Sequence, residues 1–444
     1  MTKTDLIIIG AGPGGYRAAE YAAKNGLQVI VFESSHVGGT CLNEGCIPTK
    51  SFARNAEILH ALKEAELYGL NALSYEFDFK KVVERKNQVL DSLRSGIEML
   101  LSCPGITLVR DRAEFVDDHT VKDSKGELYS ATNIIIATGS VSKMLRLEEW
   151  DPEAACDSEF MLRNDELPRS LCIVGAGVIG MEFASIFNAF GVDVTVVEFL
   201  KECLPALDSD IAKRLRKFLE KRGVNFYMQS AVKSITKEGV TFERKGKRQT
   251  VVAERVLLAV GRAPRISEDF ANAGLDFDAR RGIIVDDNMQ TNVSGVYAIG
   301  DVNCRQMLAH AAEMQGIHAV NCILNRADDI RLDVMPAAIF TNPEAGCVGF
   351  SEDLCKEQGI EYTCHKSFYR ANGKALAMNE PEGMLKLLAD SEGRIIGCHV
   401  FGAHAADLAQ EASVLMCKNT TVQELADMVH IHPTLSEILK VAAE

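Results

Sequence analysis

Two stretches of this chain, residues 5–33 (DLIIIGAGPGGYRAAEYAAKNGLQVIVFE) and 170–198 (SLCIVGAGVIGMEFASIFNAFGVDVTVVE), repeat one pattern. Each is 29 residues long; they align without a gap at 11 identities, and each places an acid 23 residues after its first glycine. Each reads as strand, tight turn, helix and second strand. In the first, Leu6–Ile9 is the entering strand, Gly10, Gly12 and Gly15 make GxGxxG, and Glu33 ends the strand Leu27–Phe32. In the second, Gly175, Gly177 and Gly180 recreate the motif and Glu198 closes it. Glycines at this spacing let the backbone turn and approach a pyrophosphate, the helix N-terminus offers amides to the phosphates, and the acid reaches a ribose hydroxyl. One such motif is weak evidence. Two, each with flanking strands and an acid, predict two dinucleotide sites in an α/β fold.

Glu198 is followed by Phe199 and Leu200, with no arginine to hold a 2′-phosphate. A carboxylate there accepts a bond from a free 2′-hydroxyl and repels a phosphate, so NAD is expected over NADP. The competing reading is a solvated strand end.

Between the copies lies GGTCLNEGCIPTK, residues 38–50. Thr40 is expected to cap a helix, with Cys41 in its first turn, where the helix dipole lowers a thiol pKa. On a regular helix, residues five apart rise about 7.5 Å and point about 140° apart. A disulfide needs Cα atoms within roughly 7 Å. Cys41 and Cys46 can therefore bridge only if the helix is distorted, and Gly45 allows that. The alternative is two unlinked buried cysteines. Gly38, Gly39, Pro48 and Lys50 turn the reading toward a redox pair, and with two dinucleotide sites that suggests a flavin and a nicotinamide.

Residues 54–102 read as two helices with core faces Ile58, Leu62, Ala65, Leu70 and Val82, Val89, Leu93, Ile97, Leu101. Asn133–Ala137 reads as a strand ending in Thr138-Gly139-Ser140, and residues 291–301 as one ending in Gly300-Asp301. A carboxylate at such a strand end faces ligands in open α/β sheets, and could bond the ribityl hydroxyls of a flavin. Met307–Ala319 follows as a helix. From about Asp333 the pattern becomes α+β, with five short strands, including Cys347–Ser351, and three helices. Near the end stands HIHPTLSEI. Thr434 is expected to cap the last helix, and Glu437 to accept a bond from His432, making an acid–base pair. Nothing in the sequence fixes His430, which reads as an ordinary surface or core histidine.

Net charge is −14 without a basic tract, which argues against nucleic acid or an anionic membrane as partner. No apolar run approaches the roughly 18 residues of a membrane span, and the opening lacks a signal-peptide pattern. The 13 cysteines include no pairs at metal-ligand spacing. Apart from Cys41 and Cys46 they are expected to be mostly buried, in a reducing, cytoplasmic setting, with no metal.

These motifs, with GAGVIGME at 175–182, MLAHAA at 307–312 and HPTLSE at 432–437, identify a resemblance over nearly the whole chain. It resembles the pyridine nucleotide–disulfide oxidoreductases, and within them the lipoamide dehydrogenase branch. The resemblance implies two Rossmann-like dinucleotide-binding domains plus an α+β C-terminal interface domain. These would be an FAD domain of residues 1–143 and 263–333, an NAD domain of 144–262 and a dimerisation domain of 334–444. It implies that Cys41 is the thiol that meets substrate, that Cys46 lies next to the flavin, and that Lys50 sits beside the flavin and pairs with Glu182. Thr40, Ala113, Thr138, Gly139, Asp301, Met307, Leu308 and Ala309 would hold FAD, and Val232 and Gly261 NAD. His432 and Glu437 would come from the other subunit of a homodimer. The implied reaction is oxidation of dihydrolipoyl groups carried by another protein, of a 2-oxoacid dehydrogenase or glycine cleavage complex. Other disulfide or metal-ion reductases share the scaffold, and a silent structural flavoprotein is the reading that intact Cys41, Cys46, His432 and Glu437 oppose. Arg265 and Gln315 depart from the family pattern, which has Asn and commonly an acid there.

Overall fold

The two-residue period of a strand decides which face each side chain joins. In the computed structural model, which describes residues 1–71 and 74–444, the strand Thr2–Ile9 runs between Val29–Phe32 and Leu128–Ile136, parallel to both. Ile106–Val109 and Val296–Ala298 extend the parallel part, and Thr120–Lys122 and Glu114–Phe115 continue the sheet antiparallel. Ile7 and Ile9 enter one core with Ile134 and Ile136; Leu6 and Ile8 enter another with Ile135. Burial on both faces is why these strands read as unbroken apolar runs. Helix Pro13–Lys24 packs on helix Ala309–Ile323 at a separation that glycine sets. A Cβ added at Gly14 would come 2.9 Å from the Ala312 carbonyl oxygen, and one at Gly316 would come 2.9 Å from that of Gly14.

These elements belong to one compact unit, formed by Met1–Ser51, Lys81–Lys143 and Gly261–Leu332; Phe52–Lys80, Met144–Val260 and Asp333–Glu444 form a second. The second unit holds a parallel sheet in the order Asn225–Tyr227, Asp193–Val197, Ser170–Val174, Arg255–Leu258. It also holds the expected antiparallel sheet, ordered Ala337–Ile339, Glu344–Gly349, Ile395–Gly402, Met384–Ala389, Thr363–Phe368. Helices Ala405–Cys417, Val422–Asp427 and Glu437–Ala443 contribute to the core on that sheet. Buried Lys386 reaches Asp208, the cap of helix Ser209–Lys221, at 2.7 Å. Breaking a buried pair of this kind costs about 3–5 kcal/mol, because one charge is left without its partner.

Several local expectations are corrected. Thr40 does not cap: the helix Gly39–Glu44 starts from Gly38, whose φ of 91° glycine adopts readily. Thr434 does not cap Glu437–Ala443; Ser436 stands at that position, and the Thr434 hydroxyl bonds the Ile431 carbonyl. Helix Cys46–Lys63 buries Phe52, Ala53, Ala56 and Leu59, whereas Ile58 and Leu70 are exposed. A 3-10 turn at Ala65–Tyr68, with three residues per turn, breaks the phase that linked Ile58 to Leu70. Leu93 is exposed too, while Val82 and Leu101 are buried. The second strand of the antiparallel sheet is Glu344–Gly349, ahead of the expected Cys347–Ser351. Of the eleven free cysteines, only five are buried; five are half-buried and Cys103 is exposed.

Candidate active site

The helix carrying Cys41 stops at Glu44 and a new one starts at Cys46. Gly45 sits in the break (φ −142°, ψ −105°), where an added Cβ would lie 3.0 Å from the Thr40 carbonyl oxygen. The interruption draws the two Cα atoms to 4.7 Å, and Cys41 and Cys46 form a disulfide. Gly38 and Gly39, at φ 91° and 56°, carry the chain to this point: the Gly38 amide donates to the Ala11 carbonyl at 2.7 Å. A side chain at Gly39 would come 2.8 Å from the Gly12 Cα. The start of the helix that carries Cys41 is thus tied to the first glycine motif. Sequence reasoning missed one brace. Asn43 donates to the carbonyls of Val37 and Gly39 at 3.0 and 2.8 Å and accepts from Arg94 at 2.5 Å. An Asn four residues after a glycine was the available signal.

The two glycine motifs use the same construction. Gly10 and Gly175 have φ 109° and 106°, and a side chain at either would run into the next strand's end, at Ala137 or Ala259. Glu33 accepts from the amides of Ala11 and Ser35, each at 2.8 Å. Glu198 accepts from those of Ala176 and Leu200 at 2.5 and 2.7 Å. A carboxylate has about four lone-pair sites, so each acid keeps capacity for a ribose hydroxyl while its position is set by the backbone.

At the other strand ends, Ser140 donates to Asp301 at 2.5 Å and accepts from Arg262 at 2.7 Å. Arg265 donates its amide to Gly139 at 2.9 Å, and its carbonyl takes the Thr138 hydroxyl at 3.2 Å. The residue that departs from the family pattern therefore serves the Thr138-Gly139 turn through its backbone. Gln315 is buried, and its side-chain oxygen accepts from the Gly300 amide at 2.8 Å and from Asn303 at 3.0 Å. A neutral acceptor holds the turn before Asp301, a task an acid could also perform. Met307 and Leu308 precede helix Ala309–Ile323, whose first residue is Ala309. Ala113 is buried in the core beside Ile134, Val232 lies on the strand Ala231–Thr236, and Gly261 has φ 97°. Lys50 lies in helix Cys46–Lys63. Glu182 is 3% exposed and accepts from the Phe340 amide at 2.9 Å.

His432 presents an imidazole that is 79% exposed, with Nδ1 2.9 Å from Glu437 Oε1. The other Glu437 oxygen takes the Thr434 amide at 2.9 Å. These bonds hold the Glu437 carboxyl below its ordinary pKa, the Thr434 amide first and His432 second. With Nδ1–H donated to Glu437, Nε2 is left as the base. Val429 and Ile431 beside it are 98% and 80% exposed. His430, expected to lack a fixed partner, bonds the Met428 carbonyl at 3.1 Å and lies 3.3 Å from Glu411.

Residues 4–316 match the family model for pyridine nucleotide-disulphide oxidoreductases, and residues 335–443 match the dimerisation domain of that family. The chain belongs to this family. Dihydrolipoyl dehydrogenase of Corynebacterium glutamicum is 38% identical over 457 residues, covering 99% of this chain and 97% of that protein. Among solved structures, LpdA from Mycobacterium tuberculosis superposes with a TM-score of 0.90 at 27% identity, covering 100% of this chain and 99% of that one. The HOCl-induced flavoprotein disulfide reductase RclA from Escherichia coli gives 0.86 at 27%, covering 98% of each.

The family's cofactors are FAD and NAD, and the residues fit them. Helices Pro13–Lys24 and Val178–Ala189 start from Gly12 and Gly177 with their first amides unbonded within the helix. Among the described residues, a Cβ at Gly177 would meet nothing within 4 Å, and one at Gly12 only the Gly39 Cα at 3.9 Å. Each motif leaves the space that a pyrophosphate needs. Among the described residues no group of His, Cys, Asp or Glu could hold a metal ion, and no helix is long and apolar enough to cross a membrane.

Proposed function

We propose that this chain oxidises protein-bound dihydrolipoyl groups to the cyclic disulfide and passes the electrons to NAD. The observation that carries this reading is the Cys41–Cys46 disulfide tied to the first glycine motif, in a chain whose relatives include dihydrolipoyl dehydrogenases. A substrate thiol gives its proton to Nε2 of His432, held in the basic tautomer by Glu437. The thiolate attacks Cys41 Sγ and breaks the bond to Cys46. The second substrate thiol then displaces Cys41, closing the lipoyl ring and leaving a dithiol. A bound FAD would supply the two-electron acceptor for that dithiol and the hydride for NAD. Lys50 and Glu182 are proposed to act at the flavin. Thr40, Ala113, the Thr138-Gly139 turn, Asp301 and Met307–Ala309 are proposed to hold FAD, and Glu198, Val232 and Gly261 to hold NAD.

The active form is proposed to be a homodimer whose sites each take His432 from the partner subunit. The exposed apolar Val429 and Ile431 beside His432, within the family's dimerisation domain, support that arrangement. The domain division is proposed as FAD domain 1–143 and 263–333, NAD domain 144–262 and dimerisation domain 334–444. A lipoyl-bearing protein of a 2-oxoacid dehydrogenase or glycine cleavage complex is the proposed partner. The proposed location is the cytoplasm, where eleven free thiols would stay reduced.

The likeness to RclA, a disulfide reductase also solved as a Cu(II) complex, favours a second reading: NAD(P)H-driven reduction of a disulfide or metal ion. Steady-state assays separate the two. Dihydrolipoamide with NAD should turn over much faster than glutathione disulfide or Cu(II) with NADH or NADPH. The opposite order would replace the first reading with the second.

A further inference from the structure

Away from the disulfide, helix Ala309–Ile323 carries His318 and Cys322 one turn apart. The Cys322 Sγ lies 3.9 Å from His318 Nε2. His318 Nδ1 lies 2.9 and 3.1 Å from the two oxygens of Asp328, which follows the helix. The carboxylate is fixed in turn: Asn321 donates to it at 2.8 Å and the Ile330 amide at 3.2 Å, and Tyr21 donates to Asn321 at 2.9 Å. Thiol, imidazole and carboxylate stand in the order of a nucleophile, its base and the group that orients the base. Cys322 is half-buried.

We propose that Cys322 is a second, independent thiol-exchange site, with His318 as its base, that forms mixed disulfides with small cationic disulfides. The step balances. The Cys322 proton passes to His318 Nε2, and Sγ attacks one sulfur of the small disulfide. That S–S bond breaks, and the leaving thiolate takes the proton from His318. No electrons are lost or gained overall.

The surroundings account for both the need for a base and the choice of charge. Burial, then Asp328 and Asp286, raise the Cys322 thiol above its ordinary pKa. It also sits in the last turn of its helix, the negative end of the helix dipole. Tyr297 is in turn raised by burial, then by the Cys322 charge and Asp286. A free thiolate is therefore scarce, and attack depends on proton transfer to His318. Two carboxylates and the helix end repel an anionic disulfide and attract a cationic one. No part of this rests on the reading of the Cys41–Cys46 site.

The test uses the oxidised holoenzyme without NADH, so that Cys41 and Cys46 stay bridged. It is incubated at pH 7.5 with cystamine or with glutathione disulfide, and the mixed disulfide at each free cysteine is quantified by peptide mass spectrometry. Cys322 should react about tenfold or more faster than Cys417, which is also half-buried. Cystamine should outpace glutathione disulfide at Cys322. His318→Gln should bring Cys322 down to the Cys417 rate while leaving dihydrolipoamide turnover unchanged. Asp328→Asn carries the same test if His318→Gln does not fold, and should slow Cys322 severalfold. Equal rates at Cys322 and Cys417, or an unchanged Cys322 rate in the folded variants, would overturn the proposal.

Discussion

The α-carbons of Cys41 and Cys46 lie 4.7 Å apart because the helix between them is broken at a single residue, Gly45. A side chain there meets the Thr40 carbonyl oxygen at 3.0 Å. A branched side chain would push the two helical segments apart or disturb the break. Gly45→Val should leave a fraction of the pair unbridged. Alkylation of the denatured, oxidised protein should label eleven cysteines in the parent and up to thirteen in the variant. Eleven in both would show that the break tolerates a side chain.

Glu198 is held at the end of its strand by the amides of Ala176 and Leu200. NAD should be preferred strongly over NADP. Glu198→Ala with Leu200→Arg should narrow the ratio of kcat/KM values by about tenfold or more, since repulsion is removed and a phosphate partner supplied. Equal use of both cofactors by the parent would refute the role given to this acid.

His60 makes folding pH-dependent. Burial, then the charges of Arg222 and Lys63, push its imidazole down to about 4. Unfolded, it titrates near 6.5, so between these values the unfolded chain binds more protons and acid favours unfolding. The stabilising difference is fully present above about 6.5 and is lost as pH falls through 4. His60→Gln, which keeps an acceptor toward Arg222, should reduce the proton uptake on unfolding at pH 5 by about one. Urea unfolding followed from pH 4.5 to 7.5 measures it; parallel profiles for parent and variant would contradict the assignment.

The shared site is tested with mixed dimers. One subunit carries Cys41→Ser and the other His432→Gln. If each site takes its histidine from the partner subunit, the mixed dimer keeps one native site and should recover about half of parent activity. If a site draws on one chain, both are damaged, and activity should not exceed that of the mutant homodimers.

What the sequence revealed follows the number of constraints on each feature. The glycine motifs were legible because backbone geometry admits little else at Gly10, Gly15, Gly175 and Gly180. His432 and Glu437 were legible because they are five residues apart in a turn that Pro433 begins. The buried face of helix Cys46–Lys63 was not, since apolar residues lie on more than one face and a 3-10 turn resets the phase. His430 and Glu411, or His318 and Asp328, meet only once the chain has folded back, and no periodicity carries that information. The Gly45 break was anticipated as possible, but its consequence, two helices with Thr40 inside the first, depended on the φ that Gly38 takes.

The most direct test of the account is a single-turnover titration of the anaerobic holoenzyme with dihydrolipoamide in the absence of NAD. Lipoamide should appear as the Cys41–Cys46 bridge opens, with iodoacetamide labelling Cys41 and Cys46 in proportion to the lipoamide formed. His432→Gln should slow this step by about a hundredfold or more. Lipoamide formed while Cys41 and Cys46 stay bridged and unlabelled would contradict it.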